Sequence, residues 1–428
     1  MNIDALIGRI VQQFNRQILA APSSTRKTHL PEADPDYRYL LYLHVPYCFV
    51  LCPFCSFHRV AFDETAAQRY FRLLRREIDI VSDAGYRFDE LYVGGGTPTV
   101  LPGELAAVLG HVRERHALTG ISIETNPDHL RLEKLGQLKQ AGVNRLSVGV
   151  QSFDDALLRG MQRYEKYGSG AEIRDRLVAI EGVFDTLNVD MIFNLPNQSE
   201  LSLKRDLAIL TDAIGVDQVS FYPLMSDDTI RARMAKSMGH HDYGRERACY
   251  ELVTAHLTAT GYTRTSAWCF SRKPGMFDEY IVDREQYVGL GSGAFSYLDA
   301  ALCASTFSID EYVERVEAGS TGTVWRRDLG ERDQMRYFLL MQLFGGSLDK
   351  PSAERRFGGR FRRRLWPELT ALRALGAIQE NPKTIRVTES GYYLWSVLMR
   401  EFFAGINSLR QQMRLRVGQE LAATPATR

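Results

Sequence analysis

The chain has 428 residues, a formal net charge of +1 at pH 7 and 45% hydrophobic residues, so it can bury a sizeable core and form two or more domains. The balanced charge gives no overall attraction to nucleic acid, and no apolar run approaches the roughly 20 residues of a membrane span. Composition therefore excludes a transmembrane protein and disfavours a nucleic-acid-binding one. Apolar residues at helical spacing predict an amphipathic helix over residues 2–20.

The N-terminal region lacks the features of a secretory leader. Asp4, Arg9 and Gln12 interrupt the apolar stretch that a signal peptide requires. Residues 21–37 are polar, contain three prolines, and are predicted to be a linker. We therefore expect a cytoplasmic protein.

Strands and helices alternate after the linker. Strands are predicted at 39–45, 91–93, 121–124, 145–148, 187–193 and 218–222, and helices at 64–84, 101–115, 132–141, 154–161, 171–183 and 201–213. This alternation implies a parallel sheet with the functional site at the carboxyl ends of its strands. From residue 226 the pattern changes to a helix at 231–260, a Glu279-Tyr-Ile-Val-Asp stretch, a glycine-rich loop at 289–296, and helices with a short β-ribbon at 378–388.

Three clustered cysteines follow the first strand. Cys48, Cys52 and Cys55 have the spacing C-x3-C-x2-C, whereas the other three cysteines are scattered. In a long chain this pattern indicates metal binding and not a disulfide framework. Three thiolates on one short loop can hold three irons of a 4Fe–4S cluster and leave the fourth iron open. A Cys3His zinc site that uses His44 or His58 is the competing interpretation.

The cysteine spacing resembles that of the radical S-adenosylmethionine (SAM) superfamily. The resemblance narrows to the oxygen-independent coproporphyrinogen III oxidase and heme chaperone group through Tyr42 before His-Val-Pro-Tyr-Cys, through Gly94-Gly95-Gly96-Thr97-Pro98-Thr99, and through Gly149-Val150-Gln151-Ser152-Phe153. It covers residues 39–413. It implies an α/β fold with an open, partial (β/α)6 parallel barrel and a mainly helical C-terminal domain.

The resemblance also implies a division of the chain. Residues 1–37 would form the N-terminal helix and linker, 38–225 the radical SAM partial barrel, 226–310 a barrel-closing region with a second SAM site, and 311–428 the C-terminal helical domain with its short β-ribbon. Cys48, Cys52 and Cys55 would be both the metal ligands and the catalytic centre. They would hold one 4Fe–4S cluster, whose open iron binds the amino and carboxylate groups of SAM. A one-electron donor such as flavodoxin or ferredoxin would reduce the cluster, which cleaves SAM to a 5′-deoxyadenosyl radical.

Further residues match the cofactor-binding pattern of this group. SAM would contact Gly95, Gly96, Glu124, Gln151, Arg163 and Asp190, a second SAM would contact Tyr42, Gly95, Thr97, Leu224 and Phe295, and Phe54 would shield the cluster. Each feature also has an ordinary structural explanation. A glycine triplet can be a turn, a strand-end carboxylate can cap a helix, and Arg163 can be a surface arginine.

One position departs from the pattern of the coproporphyrinogen oxidases. These enzymes carry a further cysteine two residues past the cluster motif, where this chain has Phe57. The departure puts decarboxylase activity in doubt. Cys55-Ser-Phe57 is similar instead to the chaperone-like and methyltransferase-like members.

The C-terminal region has two patterns with open interpretations. Met399, Phe402, Phe403, Ile406, Leu409 and Met413 form a helical stripe, which fits core packing or an apolar lid over a flat substrate. Six arginines between residues 355 and 364 fit a solvated helix face. An anionic membrane surface is the alternative, which would place the protein at the periphery of the inner membrane. No aromatic–basic stacking pattern supports nucleic-acid binding.

These features predict a radical SAM methyltransferase of the coproporphyrinogen-oxidase-like class, called class C. Its substrate would be a small, hydrophobic, aromatic quinone or tetrapyrrole, methylated at an sp2 ring carbon. Among quinones, the predicted substrate is menaquinone, which would be methylated at C8 of its naphthoquinone ring. One alternative is a porphyrin-directed enzyme, a coproporphyrinogen III dehydrogenase or an enzyme of anaerobic heme degradation. Another is a heme chaperone, which binds without catalysis.

Overall fold

The computed structural model describes residues 29–226, 228–273 and 284–423. The predicted helix at 2–20 and the stretch at 279–283 lie outside these residues. The predicted domain boundaries stay predictions. Among the described helices, none combines the length and the apolar sequence that crossing a bilayer requires.

The first half of the described chain builds a parallel sheet. Strand β1 (Tyr39–Val45) leads into a small ribbon, β2 (Tyr47–Cys48) and β3 (Val60–Ala61), and then come β4 (Phe88–Gly95), β5 (Gly120–Thr125), β6 (Arg145–Gln151), β7 (Thr186–Phe193) and β8 (Gln218–Pro223). Strands β1, β4, β5, β6, β7 and β8 pair in that order, each parallel to the next. Every residue of β1 is buried, as expected where helices cover a parallel sheet.

Helices connect these strands. They are α1 (Glu64–Asp83), α2 (Pro102–Arg115), α3 (Leu132–Gln140), α4 (Asp155–Gly160), α5 (Tyr164–Tyr167), α6 (Gly170–Val178) and α7 (Glu200–Ala208). A π-helical turn at Ile209–Ala213 follows α7. Asp63 caps α1 by accepting a 2.8 Å hydrogen bond from the backbone N–H of Ala66, and Ser169 and Glu172 form a capping box on α6. The predicted partial (β/α)6 barrel is confirmed, with element ends shifted by a few residues.

The next segment extends the sheet at both edges. It comprises α8 (Asp228–Ser237), α9 (Glu246–Ala259), β9 (Thr263–Arg264), β10 (Cys269–Ser271), β11 (Tyr287–Leu290), β12 (Phe295–Leu298), β13 (Ala301–Ser305), α10 (Ile309–Glu317) and β14 (Thr323–Asp328). Strand β11 pairs parallel to the free edge of β1, and β12, β13 and β14 follow antiparallel. Strand β10 pairs antiparallel to β8. Among the described residues, the sheet therefore has 12 strands.

The last segment is mainly helical, as predicted. It contains α11 (Glu331–Phe344), β15 (Ser347–Asp349), α12 (Lys350–Arg356), α13 (Phe361–Arg364), α14 (Trp366–Ala374), β16 (Ile378–Glu380), β17 (Thr384–Val387) and α15 (Glu389–Ala423). The ribbon has three strands, because β15 joins β17. Met399, Phe402 and Leu409 of α15 are buried in the core shared by this segment and the sheet extension.

Two sequence predictions differ from the structure. The continuous helix at 231–260 is two helices, because Gly239 has φ +92° and Asp242 accepts a 2.8 Å hydrogen bond from Gly244 N–H in the turn before α9. The glycine-rich segment 289–296 is not a simple loop. It joins β11 to β12 through Gly291, where a Cβ would lie 2.5 Å from the His44 carbonyl oxygen.

Candidate active site

The cysteine loop leaves β1 at the carboxyl edge of the sheet. Cys48 and Cys52 are buried and Cys55 is half-buried, and all three are free thiols. Cys48 Sγ lies 3.4 Å from Thr97 Oγ1, and Cys52 Sγ lies 3.6 Å from Arg163 Nη1. Burial raises the pKa of the Cys48 thiol to about 11, so a thiolate at this position requires an electropositive partner.

A buried hydrogen-bonded chain lies beside the loop. The Tyr42 hydroxyl is 3.0 Å from His44 Nδ1, and His44 Nε2 is 2.9 Å from the His58 carbonyl oxygen. His58 Nε2 is in turn 3.1 Å from Ser292 Oγ. Burial lowers the pKa of His44 to about 4, so the ring is neutral. Both ring nitrogens of His44 and one of His58 are therefore engaged with partners other than the thiols.

The three cysteines can each supply one thiolate to an iron–sulfur cluster. Within the described ranges, no three His, Cys, Asp or Glu side chains converge on a point that one metal ion could occupy. An iron–sulfur cluster takes one thiolate per iron, so it accommodates thiols that are spread along a loop. Arg163, buried beside Cys52, has an Nε without a hydrogen-bond partner among the described residues. Arg163 lines the same cavity as the three cysteines.

The backbone of the glycine triplet lies in close contact with neighbouring parts of the chain. A Cβ on Gly94 would lie 2.8 Å from the Glu124 carboxylate, and one on Gly95, at φ +115°, 2.8 Å from the His44 ring. A Cβ on Gly96 would lie 2.7 Å from the Tyr47 carbonyl oxygen. A side chain at these positions would displace Glu124, the His44 ring or the cysteine loop, which is a sufficient physical reason for glycine at each position.

Two carboxylates lie on strands β5 and β7, which flank β6 in the sheet. Glu124 accepts hydrogen bonds from the Tyr92 hydroxyl at 3.0 Å and from Gly95 N–H at 3.2 Å. Asp190 accepts from Ser147 Oγ and Asn188 Nδ2, each at 2.7 Å. Burial, followed by the charge of Asp190, raises the pKa of Glu124 to about 7. Burial also raises the pKa of Asp190. Neither carboxylate caps a helix, and a cationic or hydroxyl-bearing ligand would satisfy both.

Gln151 and Arg163 complete the carboxyl edge of β6. Gln151 has φ +77° at a point where the register of β6 against β7 shifts. A glutamine in this conformation costs of order 1–3 kcal/mol and is typical of functional sites. Arg163 donates to the Gly149 carbonyl oxygen and, at 3.3 Å, to Asn126 Oδ1. It is buried, so it is not a surface arginine.

One cavity of 230 Å³ collects these groups. Of the residues predicted from the sequence, it is lined by Tyr42, Cys48, Cys52, Phe54, Cys55, Gly95, Gly96, Glu124, Gln151, Arg163, Asp190, Leu224 and Phe295. Thr97 lies outside the lining, and its hydroxyl accepts a 2.7 Å hydrogen bond from Asn126 Nδ2. The structure thus brings together polar groups from successive strand ends and aromatic groups from the second half of the chain.

Sequence reasoning missed part of this lining. Arg59, Tyr92, Trp268 and Arg410 also line the cavity, and so does Phe403 of the helical stripe, for which an apolar lid was one of the two interpretations. Tyr92 could have been found, because it precedes the glycine triplet by two residues on a predicted strand. Arg59 follows the cysteine motif without any recognisable spacing. The positions of Trp268 and Phe403 at the cavity depend on the tertiary structure, so no local sequence pattern could place them there.

Known proteins share this arrangement. The radical SAM superfamily profile matches residues 42–210. The heme chaperone HemW of Mycobacterium tuberculosis is 31% identical over 307 residues, covering 67% of this chain and 76% of that protein. The oxygen-independent coproporphyrinogen III oxidase of Pseudomonas aeruginosa is 27% identical over 406 residues, covering 88% of each. The anaerobilin synthase of Escherichia coli O157:H7 is 34% identical over 200 residues, covering 45% of this chain and 44% of that protein.

A solved structure shows the same fold. Coproporphyrinogen III oxidase (HemN) from Escherichia coli superposes with a TM-score of 0.72 at 24% identity, covering 91% of this chain and 93% of that chain. A partial barrel with a cysteine loop at the carboxyl ends of its strands defines a radical SAM protein. The chain belongs to the radical SAM superfamily, in the group that contains HemW and the oxygen-independent coproporphyrinogen III oxidases. Membership implies a 4Fe–4S cluster and SAM as cofactors.

Proposed function

We propose that this radical SAM protein is an enzyme that acts on a tetrapyrrole. The observation that carries the proposal is the cavity, where the three cysteines and the strand-end polar groups face an aromatic wall built by Trp268, Phe295 and Phe403. A flat, conjugated substrate matches such a wall. The relatives named above bear names of heme and coproporphyrinogen proteins, and they support a tetrapyrrole over a quinone.

We assign roles to the chain's own residues. Cys48, Cys52 and Cys55 hold the cluster, and Glu124 and Asp190 accept hydrogen bonds from SAM. Arg163 lies beside Cys52, where it can orient the SAM carboxylate. When bound, the cluster and SAM together supply one-electron cleavage of the SAM sulfonium. The aromatic wall excludes water from this site, which protects a reactive species from side reactions.

The reaction we propose is methyl transfer to an sp2 carbon, with a second SAM as methyl donor. Phe57 lines the cavity at the position where the coproporphyrinogen oxidase pattern has a further cysteine, which argues against decarboxylation. Tyr42, Leu224 and Phe295, which match the family pattern for a second SAM, line the same cavity. Electron delivery by flavodoxin or ferredoxin, and contact with the membrane surface, stay predictions.

Methylation of menaquinone is the second candidate. The apolar lining by Ile192, Leu224 and Phe403 favours it, since a naphthoquinone ring carries no charge. A heme chaperone is the third, because HemW is among the relatives. These candidates differ in products, so one assay separates them.

The test is an anaerobic turnover assay of the cluster-reconstituted protein with dithionite and SAM. We expect 5′-deoxyadenosine together with a methylated product when a tetrapyrrole such as heme or coproporphyrinogen III is added, and none with a naphthoquinone. Methylation of the quinone alone would overturn the proposal in favour of the second candidate. Tight heme binding without SAM cleavage would overturn it in favour of a chaperone.

Two cysteine variants control the assay. Cys52→Ala should lose the iron–sulfur absorbance and all SAM cleavage. Cys303→Ala should retain both, because Cys303 is buried in β13 and does not line the cavity. Deoxyadenosine formation by Cys52→Ala would refute the assignment of the cluster ligands.

A further inference from the structure

The solvent-facing side of α14 carries no charge. An α-helix turns by about 100° per residue, so Leu365 and Leu369 point to one side, and both are buried. The opposite side consists of Pro367, Thr370, Ala371 and Ala374, with Leu375 directly after the helix. Thr370 is half-buried and the others are exposed. A surface helix normally presents polar residues to solvent, so this side is suited to an apolar partner.

A tryptophan borders this side where α14 begins. Trp366 is 62% exposed, the highest value among the large hydrophobic residues that the structure describes. The other three tryptophans of the chain are at most 4% exposed. On the opposite border, Glu368 forms ion pairs with Arg332 at 3.1 Å and with Arg336 at 2.8 Å. Tryptophan is enriched at membrane–water interfaces, where its ring contacts both the apolar and the polar layer.

Cations surround the same end of α14. Residues 350–374 contain eight lysine or arginine residues and two glutamates, although the whole chain has a net charge of only +1. Arg363 and Arg364 of α13 are exposed, and within the described ranges their guanidinium groups form neither an ion pair nor a hydrogen bond. Together with Arg332, Trp366 and Pro367 they line an open depression of 420 Å³. The complement of this surface is an anionic partner.

Aromatic packing fixes α13 and α14 beneath these groups. Phe361 of α13 is buried, and its ring stacks on that of Phe357 with the ring centres 5.5 Å apart. The ring of Phe338 on α11 meets Phe361 edge-on at 5.9 Å. Leu365 belongs to the same core. The exposed arginines and Trp366 therefore stand on a rigid support, which reduces the entropy lost when they bind a partner.

An anionic bilayer fits this surface better than nucleic acid does. Reading base edges requires hydrogen-bonding side chains along the exposed side of a helix, and α14 offers Pro367, Ala371 and Ala374 there. A helix that lies in a membrane interface combines an apolar side with neighbouring cations and an aromatic residue. Anionic headgroups attract arginines that lie next to the bilayer. Both requirements are met on one surface.

We propose that α13 and α14 bind the protein to the surface of an anionic bilayer. Arg363 and Arg364 contact lipid phosphates, while Trp366 and the uncharged side of α14 enter the headgroup region. Binding at this surface does not depend on which substrate the cavity takes, so it and the proposed function can fail separately.

The test measures co-sedimentation of the full-length, cluster-reconstituted protein with sucrose-loaded vesicles. Anionic vesicles of equal parts phosphatidylcholine and phosphatidylglycerol are compared with vesicles of phosphatidylcholine alone. We expect binding to the anionic vesicles only. This binding should be lost when the ionic strength rises from about 0.1 M to about 1 M, because the Debye length falls from about 10 Å to about 3 Å.

The Arg363→Gln/Arg364→Gln double variant removes two of the proposed contacts. We expect it to bind the anionic vesicles about 30-fold more weakly, which corresponds to about 2 kcal/mol at about 1 kcal/mol per arginine near the surface. Arg69→Gln/Arg72→Gln is the matched control, because these two exposed arginines lie on α1. The control removes the same charge from a different helix and should bind as the wild type does.

Trp366 provides a second readout that does not depend on charge. Because the other three tryptophans are buried, brominated lipid tails should quench the emission of Trp366 alone. Trp366→Phe should abolish this quenching while the protein still sediments with the vesicles. Trp366→Ala should weaken binding about 5-fold or more. Leu132→Ala is its control, since it removes a side chain that is 58% exposed on α3, and it should bind as the wild type does.

Other outcomes overturn the proposal in distinguishable ways. Equal binding to both kinds of vesicle, or binding to neither, would remove an anionic bilayer as the partner. Equal losses in the two double variants would assign the effect to net charge and not to this surface. Sedimentation of the wild type without quenching would exclude α14 from the contact.

A labelled DNA duplex of mixed sequence supplies the remaining comparison. Tighter binding of the duplex than of the vesicles, lost in Arg363→Gln/Arg364→Gln, would assign the surface to nucleic acid and overturn the proposal. Circular dichroism and iron content are compared for every variant, so that a loss of folding is not counted as a loss of binding.

Discussion

Glu124 is the residue whose protonation is most sensitive to the structure of the site. It is half-buried near the end of β5, and desolvation of its carboxyl group, followed by the charge of Asp190, raises its pKa to about 7. Without a bound ligand, the protonated form of Glu124 is favoured, because two nearby carboxylates repel each other when both are ionised. A cationic ligand reverses this preference. SAM carries a positive sulfonium, so its binding should favour ionised Glu124.

This placement predicts a pH dependence of stability. Between the ordinary pKa of 4.5 and about 7, the folded state retains a proton that the unfolded state has released. The free energy of unfolding should therefore fall as pH rises through this window. Glu124→Gln should reduce that fall, and it should also remove any gain in SAM affinity as pH rises through about 7. Urea unfolding and SAM titration at several pH values measure both effects.

Asp206 provides the internal reference for this measurement. Burial raises its pKa to about 7 as well, but it bonds to Ser152 Oγ and Phe153 N–H and does not line the cavity. The variant should therefore keep a residual slope, which comes from Asp206 and from the other carboxyl groups whose pKa is raised by burial, Asp190 among them. Identical slopes in wild type and Glu124→Gln would contradict the prediction.

At the scale of residues, the sequence predicts those site residues that the alternation of strands and helices places at the carboxyl edge of the sheet. Glu124 ends a predicted strand, Asp190 lies in the second half of another, and parallel strands place their carboxyl ends together. The position of Arg410 beside the cysteine loop could not be predicted in this way. Ser56 and Arg410 are in contact although they are 354 residues apart in the chain. No local pattern encodes a contact between a loop and a distant helix.

At the scale of elements, a buried ion pair fixes α15 to α9. Arg400 of α15 donates to Glu246 and, at 2.7 Å, to its neighbour Glu401, and the Tyr393 hydroxyl also donates to Glu246 at 3.3 Å. All three charged residues are buried. The arrangement holds the helix that carries Phe403 and Arg410 over the cavity.

Removal of Arg400 should therefore be costly. Arg400→Ala leaves the Glu246 carboxylate buried without its cation, and we expect a loss of roughly 3–5 kcal/mol in the free energy of unfolding. Arg247→Ala is the matched control, because Arg247 forms an exposed pair with Glu251 on α9 and should cost less than about 1 kcal/mol. Chemical denaturation measures both variants. Similar losses would show that the buried pair does not stabilise the contact between the two helices.

The sequence predicts whether a segment is a helix or a strand better than it predicts where that element ends or is interrupted. The helix at 231–260 is broken because Gly239 adopts a left-handed conformation, and hydrophobic periodicity alone carries no signal for that break. Strands β13 and β14 were not predicted. Their short, mixed sequences become strands because they pair with the edge that β12 provides, and such pairing is a property of the tertiary structure.

At the scale of the whole molecule, β1 is notable because its two neighbouring strands in the sheet lie far apart in the sequence. It pairs with β4 on one side and with β11 on the other. A fragment that ends at residue 225 keeps the first partner and loses the second. It should expose the bare edge of a fully buried strand and associate with itself.

Size-exclusion chromatography with light scattering tests this prediction. The fragment of residues 29–225 should form larger species as its concentration rises, whereas the full chain at equal concentration serves as the reference and should not show the same trend. A folded, monomeric fragment would show that β11 is dispensable for shielding β1. Far-ultraviolet circular dichroism distinguishes association of a folded fragment from failure to fold.

The contact of Arg410 with the backbone of Ser56 also has a consequence during synthesis on the ribosome. The 354 residues between them take about 18–71 s to translate at about 5–20 residues per second. Throughout that interval the nascent cysteine loop has no helix above it. Iron and sulfide can therefore reach the thiols before α15 has been made.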